Sequence, residues 1–174
     1  MAHIAFHALS VGGGVLAISQ LPGLGGDYQG DLEDIREWQP SIVLTLVTSG
    51  ELADFGAETL GSEIRARAAR WEHLPITDFG VPDATFEAAW PDVAEKVLMA
   101  LKGGGRVLVH CKGGCGRSGM VALRLMMEAG EHIEEALGHL RAVRPCAIET
   151  DAQYEWAQKG RRRKLPRPGG LHCS

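Results

Sequence analysis

Two stretches limit the fold more than any others. Ile42-Val43-Leu44-Thr45-Leu46-Val47 is apolar and β-branched without polar alternation, which is how a strand covered on both faces reads. Arg106-Val107-Leu108-Val109-His110 repeats the pattern. Such strands need cover on each side, and parallel neighbours need long crossovers. The intervening chain offers helices for this. Asp31 to Trp38 reads as a short helix stopped by Pro40, and Thr59 to Arg70 as a second. Phe86, Trp90, Val93, Val97 and Leu101 recur at helical spacing, with Pro91 starting that helix or kinking it early. Ser118 to Glu128, apolar on nearly all sides, reads as a central buried helix. Ile133, Ala136, Leu137, Leu140 and Val143 mark another, and a last helix begins near Thr150. Ala5 to Leu21 reads as two short strands around Gly12-Gly13-Gly14, and Trp71 to Ile76 as one more. The expected fold is α/β: a single domain with a central, mostly parallel sheet and helices on both faces.

The 174 residues, 45% of them apolar, suit one packed domain. No apolar run approaches the roughly 18 residues that cross a bilayer. MAHIAFHALS lacks the basic start and long apolar core of a secretory signal. The expectation is a cytoplasmic protein with no membrane association. Six of the 18 Lys+Arg lie from Lys159 onward, a stretch without acids, so the body carries 12 bases against 22 acids. That balance of −10 argues against nucleic acid as a partner. Residues 1–158 are read as the domain and 159–174 as a basic, disordered tail, a solvated end rather than a targeting segment. The four cysteines, Cys111, Cys115, Cys146 and Cys173, do not form a secreted disulfide pattern. Only one close pair exists, against the two a structural zinc site wants, so no metal is expected. Oligomeric state is not legible.

The segment that carries chemistry is Val109-His110-Cys111-Lys112-Gly113-Gly114-Cys115-Gly116-Arg117-Ser118-Gly119. A buried strand stops, a glycine-rich turn follows and a helix starts, the place where open α/β sheets bind ligands. Backbone N–H groups of such a turn converge at the positive end of a helix and suit an anion. Gly113, Gly114 and Gly116 allow backbone conformations and close approaches that a Cβ would block. The Lys-Ser/Thr pair of a nucleotide-binding loop is missing. Instead a cysteine opens the turn and an arginine closes it. Comparable surroundings lower a thiol from about 8.5 to roughly 3.5–7.5, giving a nucleophile where a phosphate would sit. Arg117 offers a planar fork for two phosphate oxygens.

HCKGGCGRSG resembles the H-C-x5-R-S/T signature of the protein tyrosine phosphatase superfamily. Among its members the chain is most similar to the compact dual-specificity phosphatases, especially the kinase-associated phosphatase group, from about Leu21 to Trp156. The resemblance implies hydrolysis of phosphate monoesters through a phosphocysteine on Cys111, with no cofactor and a phosphorylated protein or peptide as substrate. It gives His110 the task of orienting the loop and Ser118 that of a hydroxyl bonded to the sulfur. Lys112, Gly113, Gly114, Cys115 and Gly116 become the substrate-binding loop. Asp78-x-Gly-Val-Pro resembles the family's acid loop, so Asp78 is preferred as general acid over Asp83, which can cap the following helix.

Arg144-Pro145-Cys146-Ala147-Ile148-Glu149-Thr150-Asp151-Ala152-Gln153 resembles a further family stretch in which Gln153 positions the hydrolytic water. Thr150-x-x-Gln153 is also a capping box, and both readings can hold. Lys112 resembles the inositide phosphatases, but their second loop lysine is replaced by Cys115, which leaves inositides a minor reading. Cys115 is read as a small residue filling the loop, with a protective disulfide to Cys111 as the competing role. Two further readings stand beside the phosphatase: a rhodanese-like sulfurtransferase and an inactive phosphate-binding module. The larger enzymes' tyrosine recognition motif is not evident, which favours a permissive pocket.

Overall fold

The computed structural model describes residues 3–167. Among them are five strands and seven helices. A hairpin of β1 (His7–Val11) and β2 (Gly14–Ser19) leads to α1 (Tyr28–Trp38), β3 (Ile42–Thr45), α2 (Ser49–Asp54), α3 (Leu60–Ala66) and β4 (Arg70–His73). Then come α4 (Ala84–Lys102), β5 (Arg106–His110), α5 (Gly116–Glu128), α6 (Ile133–Val143) and α7 (Asp151–Gln158).

The sheet order is β1-β2-β5-β3-β4, with β1 antiparallel to β2 and every other pair parallel. All four residues of β3 are buried, as are Val107 to His110 of β5, so the sheet's centre is covered on both faces, as the unbroken apolar runs require. Helices α4 and α5 both pack on β2 and β5, while α6 and α7 pack on α5. Ser19, His110 and Thr45 are cross-strand neighbours, so β2, β5 and β3 end level, and the chain after each strand enters one crevice.

Several expected boundaries move for identifiable reasons. The regular part of β4 stops at His73, yet Leu74 and Ile76 continue to donate backbone bonds to Thr45 and Leu46, so the extended run read to Ile76 is present without full pairing. Pro91 does not begin α4. The helix starts at Ala84, capped by Asp83 accepting from the Phe86 N–H, and carries the proline within it. Phe86 stacks on Trp90, and both meet Trp156 of α7 edge-on, so packing holds the first turns of the helix, just before the proline. Helix α2 is absent from the expected elements, and its one signal in the sequence is the Thr48-x-x-Glu51 capping spacing. It is six residues long, below the length at which apolar periodicity shows, and is held by a capping box between Thr48 and Glu51.

The start of the expected free tail lies against the fold. Arg163 pairs with the buried Glu128 through Nε and Nη2 at 2.8 and 2.6 Å, and its N–H donates to the Glu128 carbonyl. Glu128 also accepts from Trp90 Nε1 at 2.7 Å, so the basic segment supplies charge that a 4%-exposed carboxylate needs. Composition alone, basic and rich in glycine, could not reveal that partner. Residues 168–174 lie outside the described chain.

Candidate active site

The crevice at the strand ends holds a cleft of about 210 Å³ lined by Cys111, Lys112, Gly113, Cys115, Arg117, Asp78, Leu24, Phe79 and Glu149. Six of the residues expected to work together therefore meet, five from the loop and Asp78 from the segment after β4. Cys111 is 2% exposed at the cleft floor, and its Sγ lies 3.2 Å from the Ser118 Oγ.

The loop's shape follows from where its carbonyls go. Lys112 O accepts from Leu21 N–H at 3.0 Å, and Cys115 O from Ile148 N–H at 3.1 Å and Gly119 N–H at 2.9 Å. Gly113 O and Gly114 O both accept from the Arg144 guanidinium at 2.9 Å. In a trans peptide the N–H points opposite its carbonyl. Four carbonyls bonded to the surrounding segments therefore turn the N–H groups of Gly113, Gly114, Cys115 and Gly116 the other way, where an anion can collect them. Gly114 has φ +73°, and a Cβ there would stand 2.9 Å from the Ser19 carbonyl; a Cβ on Gly116 would overlap the Glu149 carboxylate. Gly114 needs glycine, by its φ and by a backbone contact that cannot move, whereas a Cβ at position 116 would instead displace the Glu149 side chain.

Arg117 is 2% exposed and is aimed by its partners. Its Nη1 donates to Glu51 Oε1 at 2.7 Å and Ile76 O at 2.9 Å, and its Nη2 to Glu51 Oε2 at 2.9 Å. A guanidinium has five N–H donors. With three so used, Nε–H and the second Nη2–H are left as a fork for two oxygens. Asp78 Oδ1 lies 3.3 Å from Nη2. The one local signal at Glu51 is the Thr48-x-x-Glu51 capping spacing, which marks a helix start and says nothing of a bond to Arg117.

His110 is fully buried behind the loop. Its Nδ1 stands 3.1 Å from the Cys111 carbonyl, which can only accept, so Nδ1 carries the proton. Nε2 then accepts from the Thr45 hydroxyl at 2.7 Å, and Thr45 Oγ1 accepts from Trp71 Nε1 at 2.8 Å. Burial pushes His110 down to about 4, so the imidazole is neutral near pH 7. Burial pushes Glu51 up, but hydrogen bonds from Arg117 and Thr48 outweigh it and hold the carboxyl below its usual range.

Both shifts remove stability on acidification. An unfolded histidine titrates near 6.5, so between pH 6.5 and about 4 the unfolded chain takes up a proton that native His110 refuses. The native state loses on the order of 3 kcal/mol over that window. The share from Glu51 is present above its unfolded value and goes as pH falls through its folded one. Urea midpoints should drop from pH 7 to 4.5, and the drop should shrink in His110→Asn.

Gln153 does not line the cleft. Its Oε1 accepts from Glu149 N–H at 2.9 Å, and its Nε2 donates to the Gly80 carbonyl at 3.2 Å, tying α7 to the acid loop. Half of the expected capping box forms, with Thr150 Oγ1 accepting from Gln153 N–H at 3.1 Å. Phe79, next to Asp78, has φ +59° and is 62% exposed. Lys112 holds its ammonium 5.1 Å from the Phe55 ring at the rim.

Cys115 corrects the sequence reading. It is bonded to Cys146, with Cα atoms 5.2 Å apart, and Cys111 is free. The two cysteines are 31 residues apart, and only the fold of the segment after α6 onto the loop brings them together.

Residues 64–159 match the model of the dual specificity phosphatase catalytic domain. The chain belongs to this family. The dual-specificity phosphatase fold is also that of a crystal structure of kinase-associated phosphatase whose catalytic-site cysteine is replaced by serine. It has 27% identity and a TM-score of 0.80, covering 91% of this chain and 94% of that one. A second crystal structure, Tk-PTP in the active form, has 29% identity and a TM-score of 0.70 over 88% and 95% of the two chains. Cyclin-dependent kinase inhibitor 3 of Rattus norvegicus is 31% identical over 138 residues, which are 78% of this chain and 64% of that protein. The chain thus matches somewhat less than two thirds of its curated relatives' length. No helix among the described residues is long and apolar enough to cross a membrane.

Proposed function

We propose that this dual-specificity phosphatase domain hydrolyses phosphate monoesters on proteins through a phosphocysteine at Cys111. The observation that carries the reading is the convergence of a thiol, a hydroxyl 3.2 Å from it and a buried arginine in one cleft. In this mechanism the Cys111 thiolate attacks phosphorus in line, the S–P bond forms, and the ester P–O bond breaks. Asp78 gives the leaving oxygen its proton, then takes one from the water that cleaves the S–P bond. The Ser118 hydroxyl donates to the departing sulfur. The loop amides and the free fork of Arg117 hold the equatorial oxygens throughout. Gln153 acts on the water only indirectly, by holding Gly80 and with it the acid loop.

Around the cleft, Asp78 and Glu149 offset Lys112, which disfavours a polyphosphorylated inositol headgroup and favours a phosphorylated side chain. The similarity to a kinase-associated phosphatase makes a phosphorylated kinase a reasonable first substrate to try. A cytoplasmic location belongs to the same reading, and would place the Cys115–Cys146 bond where exposed disulfides are reduced.

The test is turnover of p-nitrophenyl phosphate, then of phosphopeptides carrying Tyr, Ser or Thr, and of inositides. Asp78→Ala should lose about 10²–10⁴ in kcat, with a larger loss on phenyl phosphate, whose leaving oxygen is more basic, than on the p-nitrophenyl ester. A wild type inert on every ester but active on thiosulfate would be a sulfurtransferase. Equal losses on both esters would remove Asp78 as the acid.

A further inference from the structure

We propose that Arg144, outside the cleft, is a positioning residue that sets the anion affinity of the phosphate-binding loop; this rests on the phosphatase reading above for its kinetic arm only. Two of the four outward carbonyls of the loop are held by this one side chain. Nε bonds Gly114 O and Nη2 bonds Gly113 O, each at 2.9 Å. Those peptide planes carry the N–H groups of Gly114 and Cys115 on their opposite side. A planar guanidinium can hold two adjacent carbonyls in one geometry, and its charge polarises both peptides toward an anion.

The segment bearing Arg144 is organised around this contact. Arg141 donates to the carbonyls of Ala147 and Ile148, at 3.0 and 3.4 Å, which shapes the turn after α6. Ile148 has φ +69°, a conformation a β-branched residue rarely takes, and from there its N–H reaches Cys115 O at 3.1 Å. Strain of this kind persists where the surroundings enforce it. The Cys115–Cys146 disulfide joins the same segment to the same loop. Residues 144–148 therefore form a brace on the outer side of the loop, and Arg144 is the part of it that aims the amides.

The experiment compares Arg144→Ala, Arg144→Gln and Arg144→Lys with the wild type. It uses p-nitrophenyl phosphate kinetics, inhibition by tungstate, and calorimetric binding of inorganic phosphate. Each value is normalised to the folded fraction from thermal melts. Deleting one oxyanion donor costs about 10²–10³ in rate. Misaiming two should lower kcat/KM by about 10- to 100-fold in Arg144→Ala and weaken tungstate and phosphate by a similar factor. Lysine, a point charge that cannot bridge two carbonyls, should restore only part of this. Glutamine, with one donor group, should fall between lysine and alanine or match either.

A purely structural role would lower the melting temperature and leave the normalised oxyanion affinity within twofold of wild type, and that result overturns the proposal. Full rescue by lysine would also overturn it, since charge alone would then suffice. If Arg144→Ala does not fold, the lysine and glutamine variants decide by the same criteria. Should the wild type hydrolyse no ester, the phosphatase reading fails, and phosphate binding alone still decides for or against the brace.

Discussion

Cys111→Ser should abolish turnover of p-nitrophenyl phosphate while leaving phosphate binding intact. Loss of an enzyme's nucleophile costs on the order of 10⁶ in kcat, and a fall of at least about 10⁵-fold is expected here. The hydroxyl that replaces the thiol does not ionise near neutral pH, so the attacking anion is gone. What binds the phosphoryl group is untouched. The four loop amides keep their outward carbonyl partners, and Arg117 keeps Glu51 and Ile76. In the proposed mechanism the sulfur attacks as an anion, so its replacement also removes a repulsion of the dianion, and phosphate or tungstate affinity should hold or rise. Steady-state kinetics and calorimetry on the same preparation read both sides. A variant that keeps more than about one part in a hundred of wild-type turnover would mean that another group attacks phosphorus.

Glu51→Ala should be the most destabilising change at the site and should disarm it as well. The pair it breaks is bidentate, at 2.7 and 2.9 Å, and Arg117 is 2% exposed. Deleting one partner of a buried pair strands the other charge, at about 3–5 kcal/mol. The same carboxylate accepts from Thr48 N–H at 3.1 Å in the capping box of α2, so the helix start weakens too. Urea unfolding should show the loss directly. Under conditions where the variant remains folded, kcat/KM should fall by about 10²-fold, since two of the N–H bonds that aim the fork are missing. Glu51→Gln separates the effects. Its carbonyl can still serve Nη1, but its amide sets donor against donor at Nη2, so stability should lie between wild type and alanine. If Glu51→Ala binds phosphate as tightly as wild type, Arg117 does not depend on this anchor.

Glu51 and Arg144 show how far the linear chain speaks. Cys111, Arg117 and Ser118 sit within eight residues of one another, and the local chemistry of strand end, glycine turn and helix start suggests the thiol and the arginine without reference to distant chain, while the family resemblance adds the role proposed for Ser118. The two central strands are legible for a similar reason: burial on both faces leaves no alternation of polar and apolar positions in the run. Asp78 is preferred through the resemblance of Asp78-x-Gly80-Val81-Pro82 to the family's acid loop, since spacing alone does not separate it from Asp83. Only the fold could pair Glu51 with Arg117, since they stand 66 positions apart and a one-turn-and-a-half helix leaves no periodic trace.

The disulfide belongs to the same class. Cys115 reads as a loop filler or a partner for the neighbouring Cys111, and only the return of the chain after α6 puts Cys146 beside it. Gln153 likewise contains a capping signal in its spacing, while its bond to Gly80 spans 73 residues. Sequence by itself determined the site where bonding partners are local and where hydrophobic pattern dictates layers. Tertiary structure decided which distant carboxylate, guanidinium and thiol complete it, because a charge or a donor recognises its partner by proximity in space, and that proximity is made by packing rather than by order along the chain.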